Sequence, residues 1–327
     1  MGNMSEVITL GEPIVTFMSK DLDQGLIDSI NYFKFLGGAE LNVLIGAERL
    51  GHSTEYISQV GADPLGQFAL REIERNHVGN QYVTLDDENF TAFQVKEMVS
   101  AGDPQTFNFR RESAAGHLSA DKLDQVNFSD VKIGHLSGVF PAISKTALDT
   151  FRTFAEKLLE EGILTTFDPN LRPDFWDSED EMITTINDLA KYGNIVMPGI
   201  NEGEILMGSR NPSEIADFYL HNSDLTKTVI VKLGADGAYV KQKDGKEYTV
   251  PGFVAEHVVD TVGAGDGFAL GLITGLLDGL TMEEAVERAN AVGALQVQTP
   301  GDNDGYPTPE ELDAFLQTAR QNIQQRI

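Results

Sequence analysis

The chain has 327 residues, 41% apolar and 23% charged, an ordinary globular composition long enough to bury a large core. A formal charge of −27 argues against nucleic acid or an anionic membrane surface as partner, and the absence of cysteine excludes disulfides, thiolate chemistry and cysteine-ligated zinc. The six histidines lie scattered without metal-ligand spacing, and no stretch approaches the ~18 consecutive apolar residues that suggest a membrane span.

The N-terminus, Met1 to Glu6, is polar, lacks the regions of a signal peptide and misses the myristoylation pattern, so a cytoplasmic protein is expected. Loose alternating patterns at Asn31 to Leu36, Phe90 to Val99 and Thr106 to Arg110 predict a small sheet with one exposed face. These segments, inserted from about 12–36 and 88–112, are expected to form a flap over the edge of a main sheet. Their apolar alternation also suits a surface between copies, and a homo-oligomer is expected. Leu36-Gly37-Gly38-Ala39-Glu40-Leu41-Asn42-Val43 joins a glycine turn to a helix start, with Asn42 polar on an apolar face. It is either a turn with a capping side chain or a close backbone approach to a hydroxylated ligand. Alternation sends Arg110 and Arg111 to opposite faces, so at most one of them faces a pocket.

Ser144 predicts the cap of a helix with Leu148, Phe151, Phe154, Ala155 and Leu158 inward, ended by Gly162. Ile163 to Phe167 reads as a buried strand ending at Asp168. Pro169-Asn170-Leu171-Arg172 then follows at its carboxyl end, where open α/β sheets bind ligands. Asn194 to Pro198 reads as another strand and Asn201 to Met207 as a short helix. Asn201 and Glu204 share a face of that helix, which suits either a hydrated Mg²⁺ or plain solvent. Thr228 to Leu233 is the clearest central strand, and Lys232-Leu233-Gly234-Ala235-Asp236-Gly237 ends it in a hairpin or in a turn bordering a nucleotide. Long helices follow at about 265–278 and 282–298, and Thr308-Pro309-Glu310-Glu311 opens a last one. Strand–helix alternation of this kind predicts one α/β domain over 1–327, with a mostly parallel sheet covered by helices on both faces.

The strongest local signal is Asp260-Thr261-Val262-Gly263-Ala264-Gly265-Asp266-Gly267-Phe268, a glycine-rich turn that opens a long apolar helix. Glycines let the backbone approach a ligand, and free N–H groups at a helix start attract anions. A carboxylate at position 266 would repel a phosphate unless a hydroxyl or metal stood between, so it suits a base. No G-x-x-x-x-G-K-[ST] is present, and Gly263-x-Gly265 lacks the third glycine of the dinucleotide fingerprint.

Taken together, Gly37-Gly38-Ala39-Glu40-Leu41-Asn42, the Asn201/Glu204 pair and Asp260 to Asp266 resemble the ribokinase (PfkB) family of carbohydrate kinases across nearly the whole chain. Thr9-Leu10-Gly11-Glu12-Pro13, Phe109-Arg110 with Ser113-Ala114-Ala115, His135-Leu136-Ser137-Gly138 and Gly301-Asp302-x-x-Gly305 look like its 2-keto-3-deoxygluconate kinase branch. The resemblance implies a three-layer ribokinase-like fold with a small β-sheet lid, and ATP with Mg²⁺. It implies Asp266 as general base beside an anion hole of Gly263, Ala264 and Gly265. Gly37, Gly38, Asn42, Gln94, Asn108, Arg110, Arg172 and Asp302 would then serve the sugar, the two arginines taking its carboxylate. Asn170, Arg172, Asn201, Lys232, Gly234, Gly237, Gly263, Gly265 and Asn290 would border ATP, and Asn201 with Glu204 would meet Mg²⁺ through water. At Gln94 and Asn108 that branch usually offers tyrosines, so a more polar sugar site is expected here. Whether a monovalent cation near Asp260 assists is left open by the sequence.

Overall fold

Which face of each central strand is apolar decides the layering. In the computed structural model, which describes residues 5–100, 102, 104–255 and 257–324, Val7 joins one apolar cluster and Ile8 the other. Ile230 lies with Val7, while Val229 and Val231 lie with Ile8. Successive strand residues point to opposite faces, so strands apolar throughout need cover on both. Helices Ala39–Arg49, Ala264–Leu277 and Met282–Gln296 pack on one side, and Lys145–Glu160, Glu179–Leu189 and Pro212–Asn222 on the other.

The resulting nine-stranded sheet runs Glu247–Pro251, Gly237–Gln242, Thr228–Lys232, Ile195–Val196, Leu164–Asp168, Ile133–Ser137, Val7–Leu10, Thr54–Gly61, Gly79–Asp86. Pairings from Thr228–Lys232 through Gly79–Asp86 are all parallel, as alternation with helices requires. The expected central strand Thr228–Lys232 stands one hairpin from the edge instead. Gly234 and Gly237, at φ 64° and 99°, turn the chain back antiparallel where a helical crossover would have continued the parallel order.

A second sheet of four strands, ordered Tyr32–Gly37, Ile14–Leu22, Phe93–Met98 and Thr106–Phe109, answers the expectation of a small separate sheet. Phe93 stacks on Phe109 at 4.4 Å, and Phe107 and Phe109 stay largely exposed. The capping signals read from sequence are also present. Ser144 Oγ accepts from the Ala147 amide at 2.9 Å, and Thr308 caps the helix beginning at Pro309. Among the described residues no helix is long and apolar enough to cross a membrane.

Candidate active site

Asp266 is the third residue of the Ala264–Leu277 helix, whose first residues follow Gly263 without any side-chain cap. Gly263 holds φ 77°, and its carbonyl accepts the Tyr306 hydroxyl at 2.9 Å. The uncapped amides of that first turn, with the positive end of the helix dipole, form an anion-attracting corner.

The Asp266 carboxylate is only 9% exposed, and each of its oxygens accepts an amide hydrogen. Asn42 Nδ2 donates to one at 2.9 Å and Asn170 Nδ2 to the other at 3.2 Å. Both amides are themselves oriented. Asn303 Nδ2 donates to Asn42 Oδ1 at 2.9 Å, and Arg172 donates to Asn170 Oδ1 at 2.7 Å. Asn170 adopts φ 40°, a backbone that non-glycine residues rarely adopt and that tends to mark functional sites. Burial pushes Asp266 up to about 6, opposed by the Asn42 hydrogen bond and the Arg172 guanidinium. A carboxylate titrating there is ionised at neutral pH yet basic enough to accept a proton in a transition state.

Cations lie beside it. Lys232, at the end of its strand, donates to both oxygens of Asp168 at 2.8 and 2.7 Å. Burial alone would lower the lysine, but Asp168 and Glu202 outweigh it and hold the ammonium charged. Its Nζ lies 3.8 Å from where a Cβ on Gly265 would stand, beneath the uncapped helix start. Asp302 closes the other side. Its carbonyl oxygen would collide with a Cβ on Gly263 and its carboxyl with one on Gly37, and burial pushes it up to about 6. Gly38, at φ 130°, packs against the Glu12 carbonyl in the same way.

The structure thus brings Gly37, Gly38, Asn42, Asn170, Arg172, Lys232, Gly263, Gly265, Asp266 and Asp302 together. Gln94 lies on the second sheet, donating to Thr16 Oγ1 at 2.8 Å, and Asn108 is exposed opposite it. Gly234 and Gly237 shape the hairpin, while Asn290 donates to the Val250 and Pro251 carbonyls at 3.2 and 3.1 Å. Asn201 and Glu204 both lie on the exposed face of helix Ile200–Met207. Glu204 is half-exposed and ion-paired with Arg210 at 2.7 Å. The carboxylate turned inward is Glu202, because it caps the helix start through the Gly199 amide at 2.6 Å. Among the described residues no three acidic or histidine side chains gather into a metal site.

Arg110 is buried, and its Nε donates to Glu12, which also accepts the Ser113 hydroxyl. The guanidinium lies 4.6 Å over the Phe175 ring, and one terminal nitrogen has no protein partner. Arg110→Ala therefore leaves Glu12 buried and uncompensated, with an expected loss of about 3–5 kcal/mol in stability. Adding Glu12→Gln is expected to recover most of that loss in urea unfolding.

A family profile described as pfkB family carbohydrate kinase matches residues 4–309. The chain belongs to the pfkB family of carbohydrate kinases. The kinase is 41% identical over 316 residues to a Bacillus subtilis (strain 168) 2-dehydro-3-deoxygluconokinase, covering 96% of each chain. It superposes on the PfkB protein from Polaromonas sp. JS666 with a TM-score of 0.85 at 37% identity, over 95% of this chain and 99% of that one. A Vibrio cholerae O395 fructokinase double mutant, solved with fructose, ADP and potassium, gives 0.83 at 25% identity, over 96% and 98%. The fold is ribokinase-like, and the kinase is a phosphotransferase acting on a sugar hydroxyl.

Two residues of this kinase's site escaped the sequence reading. Asn303 carries no motif that could have marked it. Lys96 had a signal in strand alternation, which sets it on the same face as Gln94. Glu40 was read only as part of a motif, yet it is wholly buried with neither carboxyl oxygen hydrogen-bonded, and burial pushes it up to about 8. The folded protein then binds more protons than the unfolded chain between 4.5 and about 8, so stability falls as pH rises through that window. Glu40→Gln removes this titration. Thermal scans are expected to show a gain on the order of a few kcal/mol near pH 8 and little near pH 5.

Proposed function

We propose that this kinase transfers the γ-phosphoryl group of ATP to the terminal hydroxyl of 2-keto-3-deoxygluconate, with Asp266 as general base. One observation carries the reading: a buried, amide-held carboxylate adjoins an uncapped helix start with an ammonium beneath it. The hydroxyl oxygen attacks the γ-phosphorus as its proton passes to Asp266. The bond from that phosphorus to the β–γ bridging oxygen breaks, and ADP leaves with that oxygen. Amides at Gly263 to Gly265 and the Lys232 ammonium offset charge on the migrating group. Asn201 and Glu204 are the residues that would hold magnesium through water, and the ion would offset charge on the triphosphate. The second sheet keeps water from competing with the sugar.

The sugar-acid assignment draws on the Bacillus relative and on two guanidinium groups near the site, Arg172 and the unpaired nitrogen of Arg110. A neutral-sugar kinase of fructokinase or ribokinase type is the second reading, favoured by Glu12 already engaging Arg110. An ATP-depletion assay with 2-keto-3-deoxygluconate, its galactose-derived epimer, fructose and ribose tests both. The first sugar acid is expected to give the highest kcat/KM, and preference for fructose or ribose would refute the assignment. A third reading, a binding regulator without turnover, predicts no ATP consumption with any of them. The same proposal has the enzyme working in the cytoplasm as a homo-oligomer, with the exposed aromatics Phe107 and Phe109 in the contact.

A further inference from the structure

Lys96 stands on strand Phe93–Met98 of the second sheet, with a side chain only 5% exposed. Its Nζ donates to Asp260 Oδ2 at 2.8 Å, reaching from that sheet to the turn before Gly263. The other Asp260 oxygen accepts the Val262 amide at 3.0 Å, so this carboxylate folds the turn that delivers Gly263 to the helix start. Asp302 packs its carbonyl on Gly263, and Asp266 and Asp304 lie close enough to raise its pKa. Lys96 is the cation that opposes this, pulling Asp302 down against its burial. Carboxylates crowded with so little solvent repel one another unless a positive charge stands among them. The turn they would distort is the one whose amides face the migrating phosphoryl.

We infer that Lys96 is a positioning residue for phosphoryl transfer: an ammonium from the second sheet fixes the Asp260–Gly263 turn in place of a dissociable monovalent cation. An ammonium is a compact point charge, as a potassium ion is, but here it is tethered to the chain. The turn is therefore ordered only when the second sheet sits over the site, which links sugar enclosure to phosphate cradling. The inference rests on the kinase reading of Asp266 and goes beyond it in making the enzyme indifferent to potassium.

The test measures phosphorylation rates in sodium or choline buffers, with and without potassium chloride at constant ionic strength. Wild type is expected to change by less than about twofold, whereas Lys96→Met loses at least ~10-fold in kcat and regains part of it with potassium or ammonium ions. Lys96→Arg is expected to retain more activity than Lys96→Met. Strong stimulation of wild type by potassium, or a Lys96→Met enzyme insensitive to it, overturns the inference. Thermal unfolding provides a readout independent of turnover: potassium but not sodium should raise the Tm of Lys96→Met and leave wild type unchanged. If wild type phosphorylates no sugar, the kinase reading fails, and the thermal experiment still decides the role of Lys96. If Lys96→Met does not fold, the wild-type potassium titration decides alone.

Discussion

Asp266→Asn is expected to lower kcat by about 10²–10⁴ while sugar and nucleotide affinities stay within a few-fold of wild type. An amide of the same shape still fills the space between Asn42 and Asn170, but one of its two polar atoms can no longer accept a hydrogen. In the proposed mechanism the group lost is the one that takes the proton of the attacking hydroxyl, so the effect falls on turnover. Unchanged binding of both substrates with turnover reduced by that factor is the expected signature. The pH profile gives a second reading of the same group. A base must be ionised, so kcat/KM is expected to fall as pH drops below about 6, where burial places Asp266. Asp302 is raised to about 6 as well and interacts with Asp266, so the acid limb belongs to the pair. Asp266→Asn should remove most of that limb from whatever activity persists.

Gly263→Ala is expected to cost about 10²–10³ in kcat, the effect of removing a donor from an anion hole. Two independent obstacles stand at this position. The backbone holds φ 77°, which a side chain disfavours, and an added Cβ would strike the Asp302 carbonyl oxygen. Both obstacles are backbone features, so no flexible side chain can move aside. Relief must come from shifting the turn, which pulls the Gly263 carbonyl from the Tyr306 hydroxyl and re-aims the amides that follow. Stability is expected to fall only modestly, because the apolar body of the helix beyond Gly267 stays packed. A variant with wild-type kcat would show that those amides do not face the migrating phosphate.

Much of this site was legible because single residues announced their own constraints. The glycine at position 263 needs a left-handed backbone, and a carboxylate three residues on, at the start of an apolar helix, has few structural uses. Likewise, the glycine turn before Ala39 and the buried polar side chain of Asn42 marked a meeting place before its partner was known. The Glu12–Arg110 pair was not legible as a contact, since 98 residues separate the two and only the fold of the second sheet joins them. The inward turn of Glu202 was not legible either, for a local reason. Spacing along a helix shows which residues share a face, but capping drew Glu202 inward and left Glu204 to Arg210. Thr228–Lys232 was recognised as a buried strand from its composition. Its position near the sheet edge depended on whether the following glycines reversed the chain, which composition alone does not decide.

The most direct test of the account is a crystal structure with the sugar acid and a non-hydrolysable ATP analogue bound together. The acceptor hydroxyl is expected about 2.6–3.2 Å from an Asp266 carboxylate oxygen. The γ-phosphate should lie against the amides at Gly263 to Gly265, in line with that hydroxyl. A triphosphate bound elsewhere, or an Asp266 side chain facing only protein, would contradict the account.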